Sequence, residues 1–175
     1  MIVLGIDPGI AITGCAIVED CKGKQNLLYS ETITTSAKTN VSLRLLTLYK
    51  ALSYLVKKHK PDLAALESLF FNTNAKTAMI VGQARGVVQL VCAQNNLQVT
   101  EYTPLQVKMA LTGYGRAEKN QMQNMVKQIL KLPEILTPDD TSDAAAIALT
   151  HCFSYKMKSQ CLVTSVLRSV KIVTG

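Results

Sequence analysis

The chain has 175 residues, which is enough for one domain with a substantial buried core. Its 19 Lys and Arg residues outnumber its 12 Asp and Glu residues, and the net charge of +7 favours a polyanionic partner. Five scattered cysteines without a C-x-x-C spacing argue against a disulfide framework and against a structural zinc site. No uncharged apolar stretch reaches the about 18 residues of a membrane span, and the N-terminus lacks the basic region of a signal peptide. We therefore expect a cytoplasmic protein without a membrane segment.

The first half of the chain predicts three strands, a helix and a fourth strand. Residues 1–7 are apolar on both faces until the terminal Asp, as in a strand that is buried on both sides. Pro8-Gly9 and Lys22-Gly23-Lys24 are the turns that separate the first three strands. The later predicted elements are strands at Thr13–Val18 and Leu27–Ile33, a helix at Ser42–His59, and a short strand at Leu63–Leu66 that ends at Glu67.

Helices dominate the second half. A helix is predicted over about Ala75–Asn95, where Gly82 and Gly86 permit close approach of a neighbour. Thr103-Pro104-Leu105-Gln106 has the capping-box pattern, with Pro at the first helical position. The other predicted elements are a strand at Val99–Tyr102, a helix at Glu118–Leu130, a loop from Pro133 to Pro138, and a last helix from Asp140 to about Lys156. This order predicts an α/β sheet layered by helices, in a single domain over residues 1–155 with a basic and apolar tail at 156–175.

Four carboxylates are predicted to meet at one edge of this sheet. Asp7 and Glu67 each end an apolar strand, and the carboxyl ends of parallel neighbouring strands share one edge. Asp140 and Asp143 share a helix face, and burial of Ala144–Ala148 against the sheet would bring that face to the same edge. Clustered carboxylates repel one another unless cations neutralise them, and magnesium prefers oxygen ligands. Two such ions about 4 Å apart suit in-line displacement at a phosphate.

Each of these acids also has a purely structural interpretation. An Asp at a helix N-terminus is an ordinary cap that the helix dipole favours, and Asp139 could serve as that cap in place of Asp140 or Asp143. Asp7 before Pro-Gly could be a turn residue. Glu67 is harder to explain in this way because its neighbours are apolar. The sequence leaves open which acid caps the helix and which binds metal.

Five motifs, in the same order and spacing, resemble the bacterial RuvC family of Holliday-junction resolvases over residues 1 to about 155. They are Ile2-Val-Leu-Gly-Ile-Asp-Pro-Gly, Leu66-Glu67-Ser-Leu-Phe70, Gly82-Gln-Ala-Arg-Gly86, Ala117-Glu-Lys119 and Asp140-Thr-Ser-Asp143-Ala. The resemblance implies a ribonuclease-H-like fold, in which a mixed five-stranded sheet starts with a three-stranded meander, continues with two parallel strands, and is flanked by helices. It also implies a homodimer that nicks two symmetric strands of a four-way DNA junction in a magnesium-dependent reaction. The products would carry 5′-phosphate and 3′-hydroxyl ends, Mn²⁺ could substitute for Mg²⁺, and a branch-migration helicase complex would be a partner.

The resemblance also assigns basic and aromatic residues. The family's junction-contacting aromatic falls on Phe70, and its two basic positions near the active site fall on Lys108 and Lys119. Lys119 could stabilise a pentacoordinate phosphate. Other basic residues flank the predicted site and could track phosphates: Lys76, Arg85 and Arg116.

The family's acidic positions fall on the four carboxylates already predicted to converge. We expect Asp7 to bridge two metal ions, with Glu67 on one side and Asp140 or Asp143 on the other. A junction has two-fold symmetry and this chain carries one acidic cluster, so two coordinated cuts need two copies. The small residues and apolar stripe of Gly82–Val91 make that segment the candidate dimer interface.

Other functions fit parts of the chain. Gly5–Gly9 also looks like the first phosphate loop of actin-like sugar kinases and chaperone ATPases, but those proteins need a second domain that 175 residues do not accommodate. A basic protein whose acids are only caps and turns would bind branched DNA without cutting it. A nuclease of the same fold could act on RNA or on transposon ends. The tail at Cys161–Val173 is more apolar than a simple DNA-binding tail and could pack against a neighbour.

Overall fold

A computed structural model describes residues 1–68 and 75–155, except for the side chains of residues 75–77. Five strands form one mixed sheet in the order β3-β2-β1-β4-β5. β1 pairs antiparallel with β2, and β2 pairs antiparallel with β3, whereas β1–β4 and β4–β5 are parallel. The strands are β1 at Ile2–Asp7, β2 at Ile12–Cys21, β3 at Lys24–Thr34, β4 at Leu63–Glu67 and β5 at Gln98–Tyr102. The predicted sheet, a meander followed by two parallel strands, is confirmed.

Helices cover both faces of the sheet. They are α1 at Val41–His59, α2 at Ala75–Gln94, α3 at Pro104–Thr112, α4 at Lys119–Ile129, and α5, which begins at residue 139 and is described through residue 155. On one face, Leu4 and Ile6 of β1 belong to a core that α1 and α2 complete. On the other face, Val3 belongs to a second core with α3, α4 and α5. The alternating strand pattern of β1 therefore buries apolar side chains on both sides of the sheet.

Local signals in the sequence set the ends of several elements. The Thr103 hydroxyl accepts from the Gln106 N–H at 3.1 Å, and the Gln106 side chain accepts from the Thr103 N–H at 2.8 Å, which confirms the capping box of α3. The α3 helix ends at Gly113, whose φ of 69° lies in the left-handed region that favours glycine. Asn40 caps α1 through its side chain, which accepts from the Ser42 N–H.

The hairpin between β2 and β3 extends beyond the predicted strands. Lys22 and Gly23 both have positive φ, at 52° and 82°, as a tight two-residue hairpin turn requires. The Asp20 carboxylate accepts from the Gly23 N–H at 3.0 Å, and the ladder continues down to the pair Cys21 and Lys24. Backbone hydrogen bonds therefore extend both strands through polar residues, beyond the apolar residues from which the strands were predicted.

None of the helices within residues 1–68 and 75–155 is long and apolar enough to cross a membrane. The predicted tail at 156–175 lies outside the described residues, and so does Phe70.

Candidate active site

The sheet places two acids side by side. Asp7 is the last residue of β1 and Glu67 is the last residue of β4. These strands are parallel neighbours in which Ile6 pairs with Leu66, so the two acids follow directly at the same carboxyl edge. Both side chains line one cavity there.

Two glycines allow α5 to lie directly on the sheet. A Cβ added at Gly5 would collide with the carbonyl oxygen of Ala144, and one added at Gly14 would collide with the carbonyl oxygen of Asp140. Gly14 pairs across the ladder with the last residue of β1. The absence of a side chain at this point therefore lets the first turn of α5 reach the acidic edge, and Asp143 enters the cavity there.

The cavity has a volume of about 240 Å³ and combines acidic, basic and apolar walls. Its acidic side comes from the two strand ends and from α5, and its two lysines come from α3 and α4. The lining residues are Asp7, Glu67, Pro104, Val107, Lys108, Lys119, Met122, Asp143, Ala146 and Ile147. Five elements that are distant in sequence thus converge on one site.

The carboxylates repel one another in this half-enclosed space. Burial first, and then the negative charges of Glu67, Asp143 and Asp140, raise the pKa of Asp7 to about 7, while Lys119 opposes the shift. Burial and the charge of Asp143 also raise the pKa of Glu67 above its ordinary value. For Asp143, burial is again the first cause of a raised pKa. A bound cation would remove this repulsion, and the donor set of carboxylate oxygens suits a hard divalent ion.

A small hydrogen-bonded chain holds Lys119 beside these acids. Its Nζ lies 2.8 Å from Oδ2 of Asp139 and 3.8 Å from Oδ2 of Asp143. The other carboxylate oxygen of Asp139 accepts from Nε2 of Gln123 at 3.1 Å. The hydrogen bond that Lys119 donates to Asp139 raises the pKa of the lysine, so the amine stays charged. Both carboxylate oxygens of Asp139 therefore face α4.

Within the described part of the chain, no three His, Cys, Asp or Glu side chains are already arranged to hold a metal ion. Lys119 instead supplies positive charge beside these carboxylates, with its Nζ in an ion pair with Asp143. The carboxylate oxygens are the ligands that a hard divalent ion prefers, and such an ion would neutralise their mutual repulsion.

Comparison with known proteins identifies the family. The family model described as "Crossover junction endodeoxyribonuclease RuvC" matches residues 3–151. The chain belongs to the RuvC family. A RuvC from Caldicellulosiruptor saccharolyticus is 52% identical over 155 residues, covering 88% of this chain and 93% of that protein. One from Ruminiclostridium cellulolyticum is 51% identical, covering 90% of this chain and 95% of that protein. The solved structure of Thermus thermophilus RuvC in complex with a Holliday junction substrate is 36% identical with a TM-score of 0.87, covering 90% of this chain and 96% of that chain.

The RuvC fold of this chain brings most of the predicted site residues together. Asp7, Glu67, Asp143, Lys108 and Lys119 all line the cavity. Asp140 lies in the first turn of α5, close enough for its charge to raise the pKa of Asp7, but its side chain is not part of the lining. Whether it is a ligand, as the resemblance to RuvC implies, stays a prediction.

The remaining predicted contacts lie apart from the cavity or outside the described residues. Phe70 is not described, and neither is the side chain of Lys76. Arg116 is exposed in the segment before α4. Arg85 has a side chain that is only 8% exposed and pairs with Glu101. The prediction that Arg85 contacts DNA finds no support in this geometry, because its charge is directed into the protein.

Sequence reasoning missed part of the RuvC cavity wall. Met122 follows Lys119 by three residues and lies on the same face of α4, so the helical spacing could have revealed it. Pro104 and Val107 belong to the first turn of α3, which starts directly after β5 at the same sheet edge. No sequence pattern predicts the Gln123–Asp139 contact, because it joins α4 to α5 and the sequence does not specify the path of the loop between these helices.

Proposed function

We propose that this chain resolves four-way DNA junctions by hydrolysing one phosphodiester bond in each of two symmetric strands. The observation that carries the proposal is the cavity at the sheet edge, which is lined by Asp7, Glu67 and Asp143 together with Lys108 and Lys119. The chain shares its family and its fold with a RuvC whose solved structure contains a Holliday junction. Acidic ligands for a cation beside amines for a phosphate are what metal-assisted phosphate chemistry requires.

Magnesium is the metal that we propose for this site, with two ions in each active site and with Mn²⁺ as a substitute. Asp7, Glu67 and Asp143 would hold it, with Asp140 as a further ligand from the same turn of α5. When bound, such ions generate a hydroxide nucleophile at neutral pH and neutralise charge on the leaving oxygen. The 3′-oxygen would be the leaving group, giving 5′-phosphate and 3′-hydroxyl ends.

The chain's own residues have separate tasks in this scheme. Asp7 would hold the ions together with the three other acids, whose charges, after burial, raise the pKa of its carboxyl. Lys119 stays protonated at the rim of the cavity, where Asp139 holds it within reach of a scissile phosphate. Lys108 lines the wall from α3 and would neutralise a phosphate oxygen. The apolar side chains of Val107, Met122 and Ile147 would limit the access of bulk water.

Two features support a homodimer in this proposal: the two-fold symmetry of the substrate and the outer face of α2. Met79 and Leu90 on this face are 69% and 51% exposed. Gly82 and Gly86 lie between them, and an added Cβ at either would meet nothing within 4 Å. A smooth, partly apolar helix face of this kind suits close packing against a second copy. We therefore propose that the dimer contact lies on this face of α2, in agreement with the interface predicted at Gly82–Val91.

Several parts of the proposal rest on the sequence or on the family resemblance and not on the geometry of the cavity. Phe70 would contact exposed bases at the junction, and Lys76 and Arg116 would track phosphates. A branch-migration helicase complex would be the partner that delivers the junction. The cytoplasmic location, and the division into a nuclease domain over 1–155 and a tail at 156–175, also stay predictions.

The deciding experiment compares the cutting of a synthetic four-way junction with the cutting of a linear duplex of the same sequence. We expect wild type to make paired symmetric nicks in the junction when Mg²⁺ is present, and Asp7→Asn to bind the junction without cutting it. Glu134→Gln is a suitable control, because Glu134 is an exposed acid in the loop before α5. Wild type that binds the junction but never cuts it, with Mg²⁺ or Mn²⁺, would instead support the non-catalytic junction-binding function.

A further inference from the structure

A buried arginine joins α2 to the strand that ends at Glu67. Arg85 lies in α2 with a side chain that is only 8% exposed. Its Nη1 donates a hydrogen bond to the backbone carbonyl of Glu67. Its Nη2 lies 2.6 Å from Oε1 of Glu101 in β5, the strand that pairs with β4. One guanidinium therefore connects a helix and two strands near the carboxyl edge of the sheet.

The hydrogen bond from Arg85 to the Glu67 carbonyl lies at the last residue of β4. Directly after Glu67, the Ser68 N–H donates to the Tyr102 carbonyl at 2.8 Å. The Arg85 hydrogen bond restrains the peptide plane that follows the Glu67 Cα, and that plane determines how the Glu67 side chain leaves the strand. A restraint at this carbonyl thus acts on the direction of a carboxylate that lines the cavity.

Packing alone does not explain an arginine at this position. The other inward-facing residues of α2 are small or apolar, among them Ala84, Val88 and Val91, which are buried in the core. A guanidinium removed from water is costly unless its partners are well placed. The planar fork of arginine can serve two acceptors at once, whereas lysine acts as a single point charge.

We propose that Arg85 is a positioning residue for metal binding, which fixes Glu67 toward Asp7 and Asp143 by holding the Glu67 carbonyl and the Glu101 carboxylate together. The inference rests on the proposed function, because it takes Glu67 as a metal ligand. Loss of an outer partner of a metal ligand commonly lowers metal affinity or activity by about 10- to 100-fold.

This role and a DNA contact by Arg85 make different predictions. A residue that contacts phosphate would, when removed, weaken junction binding and reduce its salt dependence. A positioning residue would leave metal-free junction binding unchanged and weaken the binding of the ion. Arg85→Lys keeps the positive charge but cannot hold two acceptors in one plane, so it separates geometry from charge.

The test measures Mn²⁺ affinity, from the electron paramagnetic resonance signal of free Mn²⁺, for full-length wild type, Arg85→Lys and Glu101→Gln. Arg44→Lys is the matched control, since Arg44 is also buried, at 9% exposure, but donates to the Thr35 hydroxyl away from the cavity. Junction binding without metal is measured in parallel, and circular dichroism reports folding. We expect the Mn²⁺ dissociation constant of Arg85→Lys to rise about tenfold, that of Glu101→Gln to rise less, and that of Arg44→Lys to match wild type.

The proposal is overturned if folded Arg85→Lys binds Mn²⁺ as wild type does, or if Arg44→Lys loses as much affinity. It is also overturned if Arg85→Lys weakens only the metal-free binding of the junction. Should Arg85→Lys fail to fold, Glu101→Gln decides in the same way, since it keeps the shape of the side chain and removes only its charge. Wild type that binds Mn²⁺ but does not cut a junction would end the proposed function, while the comparison of variants would still decide the role of Arg85.

Discussion

Replacing Asp7 should make the metal-free protein more stable while it abolishes cutting. Burial and three neighbouring acids raise the pKa of Asp7 from its ordinary 3.8 to about 7. A raised carboxyl pKa means that the folded state holds a proton that the unfolded state releases between these two values. The folded protein therefore loses stability as pH rises from about 4 to about 7, and the whole penalty remains above pH 7.

The size of this penalty follows from the pKa difference. At about 1.4 kcal/mol per pH unit, the difference corresponds to about 4 kcal/mol as an upper limit. Water reaches the open cavity and screens the charges, so we expect Asp7→Asn to raise the free energy of unfolding by about 2 kcal/mol at pH 8. At pH 4 the wild-type carboxyl is protonated, and the gain should nearly vanish.

Urea denaturation in EDTA, at pH 4 and at pH 8, measures this difference directly. The same experiment with saturating Mg²⁺ should stabilise wild type much more than Asp7→Asn, because an ion that binds only the folded state adds to its stability. Glu134→Gln should follow the wild-type curve at both pH values. An Asp7→Asn protein that is equally or less stable than wild type at pH 8 in EDTA would refute the reasoning about carboxylate repulsion.

Three further predictions concern the framework around the site. Gly14→Ala should lower the free energy of unfolding in the same urea titration by about 1–3 kcal/mol and reduce cutting, because its Cβ would collide with the Asp140 carbonyl; an unchanged free energy of unfolding would show that α5 does not need this close approach. Asp139→Asn should lower the single-turnover cutting rate without weakening junction binding, since Lys119 keeps its charge but loses its 2.8 Å partner; an unchanged rate would show that the ion pair is incidental. Leu90→Glu should yield monomers in analytical ultracentrifugation and uncoupled single nicks, whereas Leu43→Glu, at a leucine of α1 with 55% exposure, should remain dimeric; a dimeric Leu90→Glu protein would place the interface elsewhere.

The sequence alone was sufficient to predict the sheet and the meeting of Asp7 and Glu67 at its edge. The unbroken apolar run before Asp7 and the short apolar strand before Glu67 specify strands that are buried on both faces, and parallel pairing then places both acids at one edge. The capping box at Thr103 similarly fixed where α3 starts. These features depend on neighbours in the chain, which is why local patterns predict them.

Features that depend on tertiary contact were not predictable in this way. Nothing local distinguishes Gly14 from an ordinary strand glycine, yet its missing side chain lets α5 reach the site. The sequence predicts a phosphate contact for Arg85 because its segment flanks the site, whereas the partners of its side chain come from β4 and β5. The sequence leaves Asp139 open as a helix cap, whereas its carboxylate pairs with Lys119 and Gln123 of α4.

Anomalous X-ray scattering from crystals of the wild-type chain soaked in Mn²⁺ is the most direct measurement of where the ion binds. We predict density for at least one ion in contact with the carboxylate oxygens of Asp7 and Glu67, with Lys119 displaced from Asp143. Crystals that show no ion at this edge, at a Mn²⁺ concentration that supports junction cutting in solution, would contradict the account.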